Sequence, residues 1–200
     1  MELERNERIE WASGAWTTPP PSTETTDEGH LIVTAAEGSD AWRLTSYGFI
    51  HDTEHGLVAP FIPGTAMEVT FCGDFDSQFD QAGIFIKADE TKWIKAGVEY
   101  SDGVLQLGAV VTDGFSDWSV APVPDWNRRS VTIRASWTGE SITIRARVDD
   151  EPFRLVRVLP FAMHDDASVS AGPYACAPTR AGLRVKFTNW RQTNADDGLH

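Results

Sequence analysis

The chain has 200 residues, with 17 lysine and arginine residues against 30 aspartate and glutamate residues, and a formal net charge of −13. This acidic balance, without a local basic stripe, predicts that the protein does not bind nucleic acid, because a phosphate backbone would be repelled. Hydrophobic residues make up 41% and aromatic residues 10% of the chain, which is enough for a packed core and excludes a disordered protein.

Alternation of apolar and polar residues dominates the chain, and no segment shows a sustained helical period. Short turns at 138–140 and 149–152 predict two consecutive hairpins. About a dozen short strands, spaced roughly 8–12 residues apart, predict one all-β sandwich or barrel domain over the whole chain, residues 1–200. The polar residues after Arg191 are expected to fray. In chain order, the predicted strands are 31–34, 41–45, 66–72, 79–87, 93–100, 104–112, 131–137, 142–148, 153–158, 169–176 and 183–190.

Three successive predicted strands, 79–87, 93–100 and 104–112, carry polar and aromatic residues on the face opposite to their apolar set. Each also carries one glycine in mid-strand on that face, and such a glycine marks sheet bending or the close approach of a backbone or ligand. The pattern is as typical of a ligand-binding floor as of a curved sheet with solvated polar residues. The residues on this face are Gln81, Gly83, Phe85, Trp93, Lys95, Gly97, Glu99, Gln106 and Gly108.

The ligand-floor interpretation assigns distinct roles to these side chains. Trp93 and Phe85 would form aromatic walls, with Trp93 an exposed stacking platform. The polar groups would supply directional hydrogen bonds. A valine at Gly97 would then abolish binding and leave the stability near that of the wild type.

Several sequence blocks resemble one protein family along nearly the whole chain. They are Trp-Arg at 42–43, Tyr-Gly-Phe at 47–49, Asp-Gln-Ala-Gly at 80–83, Trp-Ile-Lys-Ala-Gly-Val-Glu at 93–99, Ser-Asp-Trp-Ser at 116–119 and the segment 172–178. Together they are similar to an uncharacterised family whose fungal member is named for regulation of enolase. The resemblance implies a concanavalin A-like jelly-roll sandwich of antiparallel strands and carries no catalytic residues. It also places Tyr47, Asp117 and Trp118 at the rim of the proposed site.

A glycosidase of this fold needs two carboxylates, and the sequence offers a weak case for them. The separation is about 5–5.5 Å for retention and about 6.5–9.5 Å for inversion of the sugar. Glu99 stands on the proposed face, whereas Asp80 and Asp102 lie near strand ends and reach it only in a favourable register. Lys95 is about 13 Å from Glu99 along the strand, so each is expected to pair with a cross-strand neighbour such as Arg134.

Two segments contain residue types that can bind metal ions. The His-x-x-x-His spacing of His51 and His55 suits zinc only on a helix, and here it is predicted to lie in a loop, where His51 and Asp52 could line a site beside Tyr47. The segment 74–80 is acidic but lacks the glycine and distal glutamate of a helical-hand calcium loop. We therefore predict no metal and no cofactor.

The cysteines and the N-terminal segment bear on the compartment. Cys72 and Cys176 form no Cys-x-x-Cys motif and are predicted to be free thiols. No apolar run is long enough to span a bilayer, and residues 1–8 lack the apolar stretch of a secretory signal. These features predict a cytoplasmic protein without membrane contact.

Three functions remain after these exclusions. The first is a non-catalytic module that binds a carbohydrate or another small polyhydroxylated ligand on the concave sheet face. The second is a glycoside-acting enzyme that uses Glu99. The third is a regulatory module of carbohydrate metabolism that binds a protein partner.

Overall fold

The computed structural model describes residues 5–163 and 167–199, and in these ranges the chain forms seventeen strands and two short 3-10 turns, Trp11–Ser13 and Pro124–Trp126. Neither turn has the length to cross a membrane. The strands are β1 (Asn6–Arg8), β2 (Ala15–Trp16), β3 (Ser22–Thr25), β4 (Leu31–Thr34), β5 (Ala41–Arg43), β6 (Ile50–Asp52), β7 (His55–Pro60), β8 (Thr65–Gly73), β9 (Gln81–Lys87), β10 (Lys92–Ser101), β11 (Val104–Asp113), β12 (Phe115–Pro122), β13 (Val131–Trp137), β14 (Ser141–Val148), β15 (Arg154–Pro160), β16 (Ser170–Cys176) and β17 (Arg184–Asn194).

The strands form a sandwich of two antiparallel sheets, as the alternation predicted. One sheet has eight strands in the order β15-β14-β13-β8-β17-β4-β3, with β1 also paired to β17. The other has seven strands in the order β12-β11-β10-β9-β16-β7-β2. A separate two-stranded hairpin, β5-β6, belongs to neither sheet in the described ranges.

The inward faces agree with the predicted parity. Ile84, Ile94 and Leu105 of the seven-stranded sheet are buried in one core with Ile133 and Trp137 of the eight-stranded sheet. A strand has a side-chain period of two, so the apolar set of each strand falls on one face and the two apolar faces meet. The two predicted hairpins, β13-β14 and β14-β15, are also confirmed.

The end of the chain differs from the prediction of fraying. β17 continues to Asn194, which pairs with Thr65 of β8. Asp196 then forms salt bridges with Arg134 and Arg145, which project from the eight-stranded sheet. Polar composition suggested a loose tail, but specific ion pairs hold this segment against the sheet.

The mid-strand glycines allow adjacent strands of the seven-stranded sheet to approach closely. Gly97 lies directly opposite Gly83 on one side and Gly108 on the other. A Cβ atom on Gly97 would stand 2.1 Å from the carbonyl oxygen of Ala82, and one on Gly83 would stand 2.0 Å from that of Ala96. These obstacles are backbone atoms that cannot rotate away, so the expectation that Gly97→Val leaves the stability unchanged is wrong.

We predict that Gly97→Val destabilises the protein by at least about 3 kcal/mol, because the new side chain forces two central strands apart. Thr23→Val is the matched control, since it places valine at an exposed position of β3. Urea denaturation of both variants measures the difference. A loss below about 1 kcal/mol for Gly97→Val would show that the strands accept a side chain there.

Candidate functional site

A pocket of about 360 Å³ opens on the outer face of the seven-stranded sheet, beneath the β5-β6 hairpin. Its floor comes from β9, β10 and the residue before β5, and its walls come mainly from the hairpin and β12. The floor residues are Asp40, Gln81, Lys95 and Glu99, and the wall residues are Trp42, Tyr47, Phe49, His51 and Trp118.

The hairpin is attached to the sheet through Trp42. This indole is buried in a second apolar cluster with Phe85, Trp93 and Tyr174, on the sheet face opposite the main core. Its Nε1 donates a hydrogen bond of 3.0 Å to the carbonyl oxygen of Thr45, which fixes the ring within its own hairpin. The outer face of the sheet is therefore largely covered, and the pocket is the space left at the edge of this cover.

Two hydrogen bonds of Arg43 fix the same hairpin to the start of the edge strand β12. The amide of Arg43 donates a 2.9 Å hydrogen bond to Oγ of Ser116, and Nε of Arg43 donates one of 3.2 Å to the carbonyl oxygen of Gly114. The segment that connects β5 to β6 is a tight, irregular turn, because three of its residues have positive φ angles: Leu44, Ser46 and Gly48. The turn directs its aromatic residues toward the pocket.

The wall side chains contact one another in a continuous aromatic chain. The ring centroid of Trp42 lies 6.4 Å from that of Trp118 and 5.9 Å from that of Tyr47, both with edge-to-face geometry. Tyr47 stacks on Phe49 at 5.2 Å, and Phe49 meets the His51 ring at 4.6 Å. Tyr47 is 61% exposed and Phe49 42% exposed, so two stacked aromatic rings form a contiguous apolar surface at the pocket.

An ion pair with Asp40 organises the polar floor. Nζ of Lys95 lies 2.7 Å from Oδ1 of Asp40, and Nε2 of Gln81 and the amide of Ala41 donate to the same oxygen at 3.2 and 2.8 Å. Burial alone lowers the pKa of Lys95, but the negative charges of Asp40 and Glu99 outweigh it and hold the pKa above its ordinary value. Lys95 is thus a buried cation with its charge already matched.

Glu99 and Gln81 stand side by side on the floor with unused acceptors. They are directly opposite residues of β10 and β9, where Cβ atoms are about 4.5–5.5 Å apart. Oε1 of Gln81 is buried without a hydrogen-bond partner among the described residues. Burial raises the pKa of Glu99 from 4.5 to about 7, against the lowering effect of Lys95 and with a further rise from Asp40 and Asp102.

The structure brings five of the residues predicted for the site to this pocket: Gln81, Lys95, Glu99, Tyr47 and Trp118. The other three lie elsewhere. Trp93 is only 4% exposed and packs beneath Trp42, so the prediction of an exposed platform is wrong, and Phe85 is equally covered. Nε2 of Gln106 donates to Oγ of Ser101 at 2.8 Å, and Asp117 forms a salt bridge of 3.1 Å with Arg157.

Three wall or floor residues, Asp40, Trp42 and Phe49, were not among the predicted site residues. Trp42 and Phe49 belong to the sequence blocks that carry the family resemblance, which was a usable signal. Asp40 stands alone before β5, and its role depends on a contact with a residue 55 positions later in the chain. Local sequence carries no signal for such a contact.

The structure also shows the ion-pair partners of the charged residues that the sequence analysis considered for pairing or catalysis. Lys95 pairs with Asp40, whereas Arg134 of the opposite sheet pairs with Glu68 and Asp196, so the suggested partner was wrong. Asp80 is fully buried and accepts hydrogen bonds from Arg180 rather than approaching Glu99.

The two histidines of the His-x-x-x-His segment lie in different surroundings. His51 is in β6 and lines the pocket. His55 is buried in β7, where one ring nitrogen accepts from the amide of Ala36 at 3.1 Å and the other lies 2.9 Å from the carbonyl oxygen of Thr18. Backbone groups therefore occupy both nitrogens of His55.

Comparison with known proteins supports the family resemblance. Residues 16–195 match the model of the family described as "Protein of unknown function (DUF1349)". The chain belongs to this family. It is 36% identical over 188 residues to "Regulation of enolase protein 1" of Saccharomyces cerevisiae, a match that covers 94% of this chain and 93% of the yeast protein.

Solved structures show the same fold. A functionally unknown protein from Saccharomyces cerevisiae superposes with a TM-score of 0.86 at 35% identity, over 95% of this chain and all of that chain. The GH43 protein BlXynB from Bacillus licheniformis superposes with a TM-score of 0.72 at 12% identity, over 97% of this chain and 40% of that one. The CBM2 module of the evolved Dit of Lactobacillus casei BL23 phage J-1 gives a TM-score of 0.59 at 7% identity, with 98% and 99% covered. The concanavalin A-like sandwich is thereby confirmed.

We predict that Glu99→Gln stabilises the protein in a pH-dependent way. Below pH 4.5, Glu99 is protonated in both the folded and the unfolded state. As the pH rises from 4.5 to about 7, Glu99 ionises in the unfolded state but stays largely protonated in the folded state. The free energy of unfolding of the wild type therefore falls over this range. The variant avoids this loss and should be more stable by on the order of 2 kcal/mol at about pH 8, with a much smaller difference near pH 4.5. Chemical denaturation at both pH values measures it, and an equal difference at both would contradict the burial of this carboxyl.

Proposed function

We propose that this chain is a single ligand-binding domain that takes a carbohydrate or another small polyhydroxylated molecule in the pocket beneath the β5-β6 hairpin. One observation carries the proposal. Aromatic side chains stand around a floor on which two neighbouring groups, Oε1 of Gln81 and the carboxylate of Glu99, accept no hydrogen bond from the described residues.

The physical chemistry of the pocket suits a sugar ring. A volume of about 360 Å³ lies at the lower end of the usual range for small-ligand sites and accommodates one or two rings. Trp118 and Tyr47 offer rigid apolar surface for the C–H faces of a sugar. The floor offers directional groups for its hydroxyls, and a hydroxyl both donates and accepts.

The fold neighbours add a supporting analogy. Besides BlXynB they include a protein described as xylan beta-1,4-xylosidase from Bacillus halodurans, which matches with a TM-score of 0.71 at 16% identity, over 94% of this chain and 39% of that one. A shared fold does not fix function, so the pocket itself has to carry the argument.

The test is to measure binding of a panel of neutral, amino and acidic mono- and disaccharides by ligand-observed NMR and calorimetry. At least one sugar should bind, and Trp118→Ala should weaken it about tenfold through the loss of stacking. Phe115→Ala is the matched control, because it removes an exposed aromatic side chain of the same strand outside the pocket and should leave affinity unchanged. Absence of binding by every sugar at tens of millimolar would overturn the proposal.

A glycoside-acting enzyme is the second candidate, and the raised pKa of Glu99 favours it. A carboxyl with a pKa of about 7 can donate or accept a proton near neutral pH, as a general acid requires. Asp40 is the other carboxylate of the pocket, but its Oδ1 is occupied by Lys95, Gln81 and Ala41. Because one of the two carboxylates is occupied in this way, the structure supports an enzyme less well than it supports a binding module.

The two candidates separate in a reducing-sugar assay with the same panel. We expect no release of reducing ends by the wild type. If turnover is found, and Glu99→Gln abolishes it while binding survives, the protein is a glycoside-acting enzyme and the proposal of a non-catalytic binding module is wrong.

A cytoplasmic location, without nucleic-acid or membrane partners, stays a prediction from the sequence. The two cysteines support it, because Cys72 and Cys176 are both free and reducing compartments keep thiols unpaired. Cys176 lies buried in the second apolar cluster, and burial raises the pKa of its thiol well above the ordinary value.

A further inference from the structure

The unused acceptors on the pocket floor indicate what a ligand must supply. Oε1 of Gln81 is a buried acceptor, and Gln81 as a whole is 1% exposed. The carboxylate of Glu99 accepts no hydrogen bond from the described residues and forms no salt bridge with them. A buried acceptor without a donor costs free energy, and a partly buried carboxylate without a counter-charge is also unfavourable, so a donor placed between these groups would be favoured.

Two donors of the floor are directed to Asp40 rather than to Glu99. Nζ of Lys95 and Nε2 of Gln81 both point to Oδ1 of Asp40, at 2.7 and 3.2 Å. The Lys95 charge is therefore balanced by Asp40, and Glu99 adds one uncompensated negative charge when it is ionised. When Glu99 is ionised, one positive charge on the ligand would balance the charge of the floor.

The walls favour a cation as well. The faces of aromatic rings carry negative potential and attract a cation within about 6 Å of the ring centroid, most strongly for tryptophan. Two tryptophans, Trp42 and Trp118, stand beside Tyr47 around the pocket. The net charge of −13 on the chain adds a long-range attraction for positive ligands.

We propose that the ligand of this pocket carries a protonated amine, as in an amino sugar, and that its ammonium group donates hydrogen bonds to Gln81 Oε1 and to the Glu99 carboxylate. The inference rests on the proposed function and narrows it to one substrate class. A neutral sugar would offer a hydroxyl to the same acceptors but would leave the Glu99 charge without a counter-charge.

Proton linkage at Glu99 is consistent with this assignment. Besides burial, the groups that shift the pKa of Glu99 are Lys95 of its own strand, Asp40 before β5 and Asp102 of the following turn. The hydroxyl of Tyr174 of β16 also faces Glu99, whose charge raises the pKa of that hydroxyl. Before a ligand binds, Glu99 has a pKa of about 7 and is partly protonated at neutral pH. A cation in contact favours the carboxylate, so binding of an amine near pH 7 should release protons to the buffer.

The experiment compares ligands that differ only in the charged group. Calorimetry measures the affinity of 2-amino- and 6-amino-glucose against glucose and the corresponding N-acetylated sugars, at low salt and near neutral pH. We expect at least one amino sugar to bind tenfold or more tightly than its neutral counterparts, with an affinity that falls as salt is added. Cyclohexylamine and cyclohexanol extend the comparison to a pair without sugar hydroxyls.

Variants identify the group that recognises the amine. Glu99→Gln should remove the preference for the amino sugar, so that the amino sugar and its neutral counterpart bind this variant with affinities within about threefold of each other. Glu90→Gln is the matched control, since it removes the same charge from an exposed turn outside the pocket and should preserve the preference.

Each outcome decides between the two proposals. Equal affinity for amino and neutral sugars overturns the amine inference and leaves the proposed function standing. Binding of cyclohexylamine, without binding of cyclohexanol or of any sugar, supports the amine inference and overturns the proposal that the ligand is a sugar. Binding of none of these compounds overturns both.

Discussion

The buried salt bridge between Lys95 and Asp40 joins the β5-β6 hairpin to the sheet that it covers. Lys95 projects from the outer face of β10, and Asp40 stands where the chain enters the hairpin. Removing either partner would leave an unpaired charge in a poorly solvated place, which is far more costly than losing a surface ion pair. The pair therefore fixes the position of the hairpin and, with it, the distance between the aromatic walls and the polar floor.

The outer face of the seven-stranded sheet has two neighbouring regions that differ in polarity and in solvent exposure. In one, Trp42, Phe85, Trp93 and Tyr174 form an apolar cluster that covers the sheet almost as completely as a core. In the other, Gln81, Lys95 and Glu99 remain around an open pocket. The in-register glycines lie beneath both regions and serve the pairing of the strands, because their missing Cβ atoms make room for the carbonyl groups of their neighbours.

Burial gives the pocket its electrostatic character. Lys95 keeps its charge because Asp40 compensates it, whereas Glu99 has no such partner and its pKa rises to about 7. The floor thus combines a permanent ion pair with a carboxyl whose charge responds to pH and to any bound cation. An exposed rim of Tyr47 and Phe49 surrounds this floor and supplies apolar contact area where a ligand would enter.

Local periodicity was enough to predict the all-β fold class and to separate the two faces of the central strands. The side-chain period of a strand is a local property, so Ile84, Ile94 and Leu105 could be assigned to the core, and Lys95 and Glu99 to the opposite face, without knowledge of the partner strands. The same reasoning could not tell an exposed aromatic from a covered one. The folded chain was needed to show that Trp93 is buried, that Trp118 is exposed and that Lys95 contacts Asp40. These outcomes depend on a hairpin that is distant in sequence and folds across the sheet, and local periodicity contains no information about such a contact.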